Sequence, residues 1–429
     1  MNTASLDDWL VHLESLHPTV MELGLDRVRT VADRLGLLPP VAPVITVAGT
    51  NGKGSTVVVL ESLLRNCGHR PGCFTSPHFL RFNERIRVAG DEVPDEAITS
   101  AFTVIEAARE DVSLTYFEFA TLAALWVFAR EGVDIAVLEV GLGGRLDSVN
   151  MVDPAVSVIT SIDLDHQEWL GNSRGAIARE KAGILRAGVP AVLADTAPPP
   201  ELLDAAASVG ADPIYLIGRE FTVTEGESAW EGTVSLRGGG LSRVGGATGA
   251  LLPVNICAAL QAAAAMGIGW SPEQVHKALE QARSVGRRQQ LTQAGRHYLL
   301  DVAHNPAAID KLLQAIAASP CNGKIIALFS AMKDKAVVEM LAPLRDTVDA
   351  WFLADQPDNP RALPAAQLAD LLRAGGQEMI SVSKNLTQAF RRAQLLMDEG
   401  DLLVVFGSFF TVAAVLPLLE KDRSRGGSV

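Results

Sequence analysis

Short, nearly unbroken apolar runs alternate with stretches of helical period over the first half of the chain. Residues 44–48, 134–140, 156–160 and 189–194 are dominated by Val, Ile, Leu and Ala, too short for helices and without polar alternation. That is the pattern of strands buried on both faces. Between them, 117–130 carries few polar residues and ends at a Glu131-Gly132 turn, which predicts a buried helix. Strands of this kind separated by helices predict a mainly parallel sheet covered by helices. From 221 to 252 glycines and weak alternation replace both patterns, so an appendage of short antiparallel strands is expected there. Helices are expected next at 253–266, which carries Asn255 near its start, and at 272–282.

Ser284-Val285-Gly286-Arg287-Arg288 interrupts the helical pattern and opens a second strand series at 297–302, 324–329, 350–354, 379–382 and 402–406. The expected fold class is therefore α/β, with a P-loop-type, mainly parallel sheet domain at 1–285 and a smaller Rossmann-like α/β domain at 286–429. The uncharged stretch 402–419 is long enough to cross a bilayer but is broken by Gly407-Ser408 and Pro417, and reads as strand, turn and helix.

Composition narrows the function. At 429 residues with 48% hydrophobic content the chain can fill two or three sizeable cores. A net charge of -13 argues against a nucleic-acid or anionic-membrane surface, so an anionic ligand must be held by local cations. Cys67, Cys73, Cys257 and Cys321 have neither zinc spacing nor a CxxC pair, which fits free thiols in a reducing compartment. The first residues carry Asp7 and Asp8 and no basic n-region, unlike a signal peptide. The expected location is the cytoplasm.

The strongest chemical signal follows the first buried strand. Gly49, Thr50, Asn51, Gly52, Lys53, Gly54 and Ser55 lead directly into a helical run. Glycines let backbone N–H groups turn inward, the helix start adds its positive end, and Lys53 adds a cation, which together suit the phosphates of ATP. The loop departs from the usual pattern, with Val47 at the first glycine position and Gly54 between Lys53 and Ser55. Ser55 or Thr56 is placed to reach magnesium. Glu139 ends a strand before Gly141-Leu142-Gly143-Gly144, and in a parallel sheet the strand containing Asp163, Asp165 and His166 ends at the same edge, where such folds bind ligands. These groups suit a magnesium site. The alternative for Glu139 is a salt bridge with Arg145 or Lys181, and for His166 a supporting role behind the metal or a structural one. Thr75-Ser76-Pro77-His78 is a mixed polar loop that reads as functional or as a plain surface turn. Asp301-Val302-Ala303-His304-Asn305-Pro306 sets an acid and a histidine at a strand end, where Asp301 also reads as a helix cap.

Taken in order, these segments resemble the folylpolyglutamate synthase and dihydrofolate synthase family, relatives of the Mur peptidoglycan ligases. The resemblance runs through Leu23-Gly24-Leu25-Asp26-Arg27, the GTNGKGS loop, TSPH and NERI, Leu114-Thr115-Tyr116-Phe117-Glu118-Phe119, EVGLGGRLD from Glu139, Asp165-His166 and Glu180-Lys181-Ala182-Gly183. It continues in Asn255, Gly286-Arg287, Asp301 to Pro306, Ala331-Met332-Lys333-Asp334-Lys335 and Phe406-Gly407-Ser408-Phe409. It implies a Mur-ligase-like central domain and an ATP-dependent ligase that activates a pterin carboxylate as an acyl phosphate and joins it to L-glutamate. The acceptors implied are dihydropteroate and tetrahydrofolate, and a monomer is expected. Ser76, Glu139 and His166 resemble magnesium ligands, with Lys181 as a carbamate derived from carbon dioxide helping to hold a second magnesium. An ordinary ion-paired lysine is the alternative there. Lys53, Lys181 and His304 are the implied catalytic residues. Asn255, Arg287, Asp301 and His304 resemble nucleotide contacts from the far side of a cleft, so that both domains would clamp ATP. Leu23, Gly24, Leu25, Asp26, Thr115, Tyr116, Phe117, Glu118, Leu146, Asp147 and Ser148 resemble pterin-binding segments, although Tyr116 and Phe117 alone read as core aromatics.

Val302 stands where this family commonly has glycine, and Val285 where it often has proline. Both lie beside contacting groups. Rival readings are folylpolyglutamate synthesis alone, a Mur-type ligase of cell-wall precursors, disfavoured by the absence of an added N-terminal domain, and an ATP-binding regulator, disfavoured by the intact Ser76, Glu139, His166 and Lys181.

Overall fold

Side chains along a strand alternate between the two faces of a sheet, and here both faces are apolar. In the computed structural model, which describes residues 4–17, 22–226 and 228–426 with side chains to 422, this produces two cores in the first half of the chain. Val44 and Ala48 of β1 (Val44–Ala48) fall in one apolar cluster and Ile45 and Val47 in the other. Ala136 and Leu138 are divided from Ile135 and Val137 in the same way.

The first sheet comprises β1 with β2 (Pro71–Phe74), β3 (Ile86–Val88), β4 (Asp91–Glu92), β5 (Ile135–Glu139), β6 (Val156–Ile159), β7 (Ala191–Leu193) and β8 (Ile214–Leu216). Its order is β4-β3-β2-β5-β1-β6-β7-β8. The strands from β2 to β8 in that order are parallel, and β3 and β4 add an antiparallel edge. The central triplet β5-β1-β6 decides the site: Val47 pairs with Glu139 and Ala48 with Ile159, so three strand ends meet around Gly49.

The glycine-rich stretch forms a three-stranded antiparallel sheet of β9 (Thr222–Glu225), β10 (Ala229–Ser235) and β11 (Leu241–Ala247). The Pro253–Ala265 helix packs closely on it, since a Cβ at Gly232 would lie 2.8 Å from the Cys257 sulfur.

The chain divides into two units, 1–283 and 284–429. The boundary read from the sequence lies two residues later. The second unit holds β12 (Gln289–Gln293), β13 (Arg296–Leu300), β14 (Ile325–Phe329), β15 (Ala350–Ala354), β16 (Ile380–Ser383) and β17 (Leu402–Phe406), in the order β12-β13-β17-β14-β15-β16. All pairs are parallel except β12 with β13. Leu402–Phe406 is a buried central strand, the chain turns at Gly407, and a helix begins at Phe409. Among the described residues no helix is long and apolar enough to cross a membrane.

The sequence reading did not give the strands Ile86–Val88, Asp91–Glu92 and Ile214–Leu216, and it differs from the structure at further elements. Pro71–Phe74 and the polar Gln289–Gln293 are strands because a neighbour offers them hydrogen bonds, which short-range propensity does not register. Asp163, Asp165 and His166 lie beyond β6, in the segment leading into the short Gln167–Leu170 helix, rather than in a strand.

Candidate active site

The phosphate-loop sequence turns tightly after β1. Gly49 has φ +148° and Gly52 φ +91°, conformations that side chains resist. Neither has room for one, since a Cβ on Gly49 would collide with the Thr160 hydroxyl and one on Gly52 would lie 2.5 Å from Asn255 Oδ1. The loop is pinned from β6's end: Thr50 N–H donates to the Ser161 carbonyl at 2.7 Å, Asn51 N–H to Ser161 Oγ at 3.1 Å, and Thr160 Oγ1 to the Asn51 carbonyl at 2.6 Å. Lys53 Nζ folds back onto the Gly49 and Thr50 carbonyls at 3.0 and 3.3 Å. Its ammonium thus overlies the loop at the start of the Lys53–Asn66 helix, and a helix start of this kind favours an anion. Thr56 Oγ1 donates to the Gly52 carbonyl at 3.0 Å within the first turn of that helix.

Lys181 comes to the same loop from the Arg174–Ala182 helix, which is capped by Ser173. It is 4% exposed, and its Nζ donates to the Gly49 carbonyl at 2.9 Å rather than pairing with a carboxylate. Burial, then the neighbouring Lys53 charge, lowers its pKa to about 7. The salt bridge between Arg145 and Glu139 that the sequence left open is not formed, because Arg145 meets Glu180 at 3.0 Å.

Glu139 is buried at the end of β5, and its carboxylate accepts from the Ser76 N–H at 3.3 Å. His166 caps the start of the Gln167–Leu170 helix with φ +50°, and its N–H donates to Asp165 Oδ1 at 2.8 Å. The preceding Asp163 is tied to the loop through reciprocal bonds with Thr50, at 3.0 and 3.1 Å. Among the described residues no three His, Cys, Asp or Glu side chains gather into a metal-holding group. A hydroxyl, one carboxylate and one imidazole beside a phosphate loop suit a hard divalent cation that takes its remaining oxygens from phosphate and water.

The segments expected to hold the pterin also gather within the first unit. Gly24 N–H donates to the Leu146 carbonyl at 3.3 Å, joining Leu23, Leu25 and Asp26 to the 146–148 turn. Ser148 Oγ meets Thr121 Oγ1 at 2.7 Å. Tyr116 and Phe117 are half-buried rather than core residues, with Tyr116 edge-on to Phe82 at 5.9 Å and Phe117 tilted on Phe74 at 5.6 Å. Thr115 caps the Tyr116–Arg130 helix in a reciprocal box with Glu118, whose other oxygen meets Arg27 at 3.1 Å. Asp147 accepts from Leu142 N–H at 2.8 Å and Val149 N–H at 3.0 Å. Both carboxylates are thus engaged in shaping the segments, a task the sequence reading did not give them.

In the second unit Arg287, His304 and Phe409 cluster: the Arg287 guanidinium lies 5.6 Å from the Phe409 ring centre and His304 6.3 Å from it. Asp301 is not a helix cap. Asn305 caps the Pro306–Ala317 helix through Ala308 N–H, while Asp301 accepts from Arg288 and Ala303 N–H at 2.9 and 2.7 Å and is pushed up by burial. His304 Nδ1–H donates to the Val302 carbonyl at 2.7 Å, which sets the ring's tautomer. Asn255 is corrected: it stands against Gly52 in the first unit, beside the phosphate loop, not across from it. Thr160 and Ser161 hold the loop and were not singled out from the sequence, although a polar pair at a strand end was the available signal.

Residues 47–195 match the Mur ligase middle domain and residues 286–409 the Mur ligase glutamate ligase domain. The dihydrofolate synthase/folylpolyglutamate synthase of Escherichia coli is 41% identical over 98% of this chain and 97% of its own. Escherichia coli FolC in complex with DHPP and ADP superposes with a TM-score of 0.91 at 40% identity, covering 98% of this chain and 99% of that one. A bifunctional folylpolyglutamate synthase/dihydrofolate synthase solved with Mn, AMPPNP and L-glutamate bound gives 0.87 at 40% identity over 97% and 98%. On this identity over nearly the full length of both chains, and on the two domain matches, the chain belongs to the dihydrofolate synthase/folylpolyglutamate synthase family of Mur-type ligases.

Proposed function

We propose that this protein joins L-glutamate to dihydropteroate, forming dihydrofolate, and to tetrahydrofolate and its polyglutamates, at the expense of ATP. As a member of its family it is an ATP-dependent carboxylate–amine ligase. The observation that carries the reading is the convergence of Lys53 and Lys181 on the Gly49 carbonyl, one strand from Glu139 and its Ser76 partner. A carboxylate oxygen of the pterin substrate attacks the γ-phosphorus and ADP leaves. The glutamate amine then attacks the acyl phosphate carbon, loses a proton and displaces phosphate. Neither step needs a covalent bond to the protein, so alignment and charge carry the catalysis.

The residues take the following roles in this reading. Gly49 to Ser55 cradle the phosphates, with Lys53 following the transferring group and Asn255 bracing Gly52. Ser76, Glu139 and His166 would hold a divalent cation such as magnesium, which when bound neutralises charge on the phosphates. Lys181 is carbamylated: its buried amine, near neutral pH, is unprotonated often enough to bond to carbon dioxide with loss of a proton, and the resulting anion would help hold a second cation. Arg287 and Asp301 contact nucleotide, and His304 serves the transfer step. Leu23 to Asp26, Thr115 to Glu118 and Leu146 to Ser148 line the pterin site. Residues 1–285 form the ATP-binding domain and 286–429 the ligase domain of a cytoplasmic monomer.

Purified protein supplied with ATP, magnesium, glutamate and either dihydropteroate or tetrahydrofolate should release ADP with both. Release with the folate alone removes the first activity, and release with neither removes the proposal.

A further inference from the structure

The ion pair between Glu61 and Arg87 lies outside every residue given a role above. Glu61 is on the Lys53–Asn66 helix that leaves the phosphate loop, and Arg87 is on β3. Their side chains are 9% and 17% exposed. Arg87 Nε donates to both Glu61 oxygens at 3.1 and 3.0 Å, and Nη2 lies 2.9 Å from the same carboxylate. Its Nη1 donates to the Thr75 hydroxyl at 3.2 Å and to the Glu84 carbonyl at 3.0 Å. Thr75 immediately precedes Ser76. The Glu84 carboxylate in turn accepts from the N–H groups of Phe79, Leu80 and Arg81, each at 2.7 Å.

One guanidinium therefore ties the phosphate-loop helix to both ends of the loop that bears Ser76. Burying such a pair is costly in solvation and weak as a stabiliser on its own, so a purely structural role explains it poorly. What a planar, five-donor fork provides is fixed geometry toward several acceptors at once, which a lysine cannot reproduce. Arg87 also lies close enough to Glu139 for the two charges to interact.

We infer that Glu61 and Arg87 are positioning residues: they set the separation between the phosphate loop and Ser76, so that phosphate and divalent cation are received together. The inference rests on the reading of Ser76 as a metal donor. It is distinct from it, because the partners of Arg87 are Glu61, Thr75 and Glu84 and none of the three is read as a metal donor.

The test compares wild type with R87M, R87K, T75V and S76A, using Mn²⁺ binding by electron paramagnetic resonance in the presence of AMPPNP. AMPPNP binding without metal, melting temperature, and amide exchange at Phe79, Leu80 and Arg81 in ligand-free protein complete the set. R87M should weaken Mn²⁺ binding about tenfold or more, as loss of an outer partner of a metal ligand does. T75V should weaken it severalfold with the melting temperature and metal-free AMPPNP binding unchanged, and R87K should recover the melting temperature but not the Mn²⁺ affinity. Exchange of the three amides should accelerate in R87M and R87K. Mn²⁺ affinity within about twofold of wild type in both T75V and R87K, with S76A losing it, overturns the inference. Unchanged affinity in S76A overturns the metal assignment itself, and the inference with it.

Discussion

Asp147 provides a measurable consequence of building the 142–149 turn around a buried acid. Its carboxyl is pushed up to about 6, mainly by burial, with partial relief from the backbone N–H groups it accepts and from Lys53. The unfolded chain releases the same proton near pH 3.8. A folded pKa above the unfolded one means the native state is least penalised below the unfolded value, and loses stability as pH rises through the folded value. A shift of roughly two units corresponds to about 3 kcal/mol, about half of it developing between about pH 5 and about pH 8. Asp147→Asn keeps the volume but cannot ionise. It gives up one of the two side-chain oxygens that accept from backbone N–H groups, a cost of about 1–3 kcal/mol that does not vary with pH. Urea unfolding of both proteins across this range isolates the effect, because every other titrating group cancels in the difference. The variant should gain on the wild type by about 1.5 kcal/mol from the acid end to the alkaline end. A difference that stays flat within about 0.5 kcal/mol would refute the assignment of a buried, reluctantly ionised acid at this position.

Other perturbations address the site and its supports. Gly52→Ala forces a Cβ to 2.5 Å from Asn255 Oδ1 at φ +91°, so the KM for ATP should rise by about tenfold with the far-ultraviolet dichroism spectrum unchanged. Lys181→Ala should abolish most turnover and be partly rescued by a short carboxylic acid, while intact-protein mass spectrometry of the wild type under bicarbonate should show the added carbon dioxide. Unchanged turnover in the variant removes the carbamate. Arg27→Met leaves the buried Glu118 carboxylate without its cation and should raise the KM for the pterin substrate more than it lowers kcat. Gly407→Ala, at φ +109° with the Ser330 carbonyl 2.5 Å from the new Cβ, should cost the second unit about 3 kcal/mol in urea unfolding.

Much of the architecture was legible because strands buried on both faces must be apolar throughout. Val44–Ala48, Ile135–Glu139, Ala350–Ala354 and Leu402–Phe406 announce themselves by that requirement alone. The phosphate loop was legible for a related reason, since backbone at positive φ without room for a Cβ admits only glycine at 49 and 52. Pro71–Phe74 and Gln289–Gln293 carry no such signature, because their strand state comes from the partner each finds. The chemistry of individual groups depended on tertiary structure still more. Lys181 is an ordinary helix lysine in sequence, and only the surroundings that bury it against Gly49 and Lys53 bring its amine toward neutrality. Glu61 and Arg87 stand 26 residues apart with nothing between them to suggest a pair. Residue types and local periodicity determined the strands, the loop and the order of motifs; distance, burial and the charges brought alongside by folding decided which side chains act, because those quantities exist only once the chain has closed on itself.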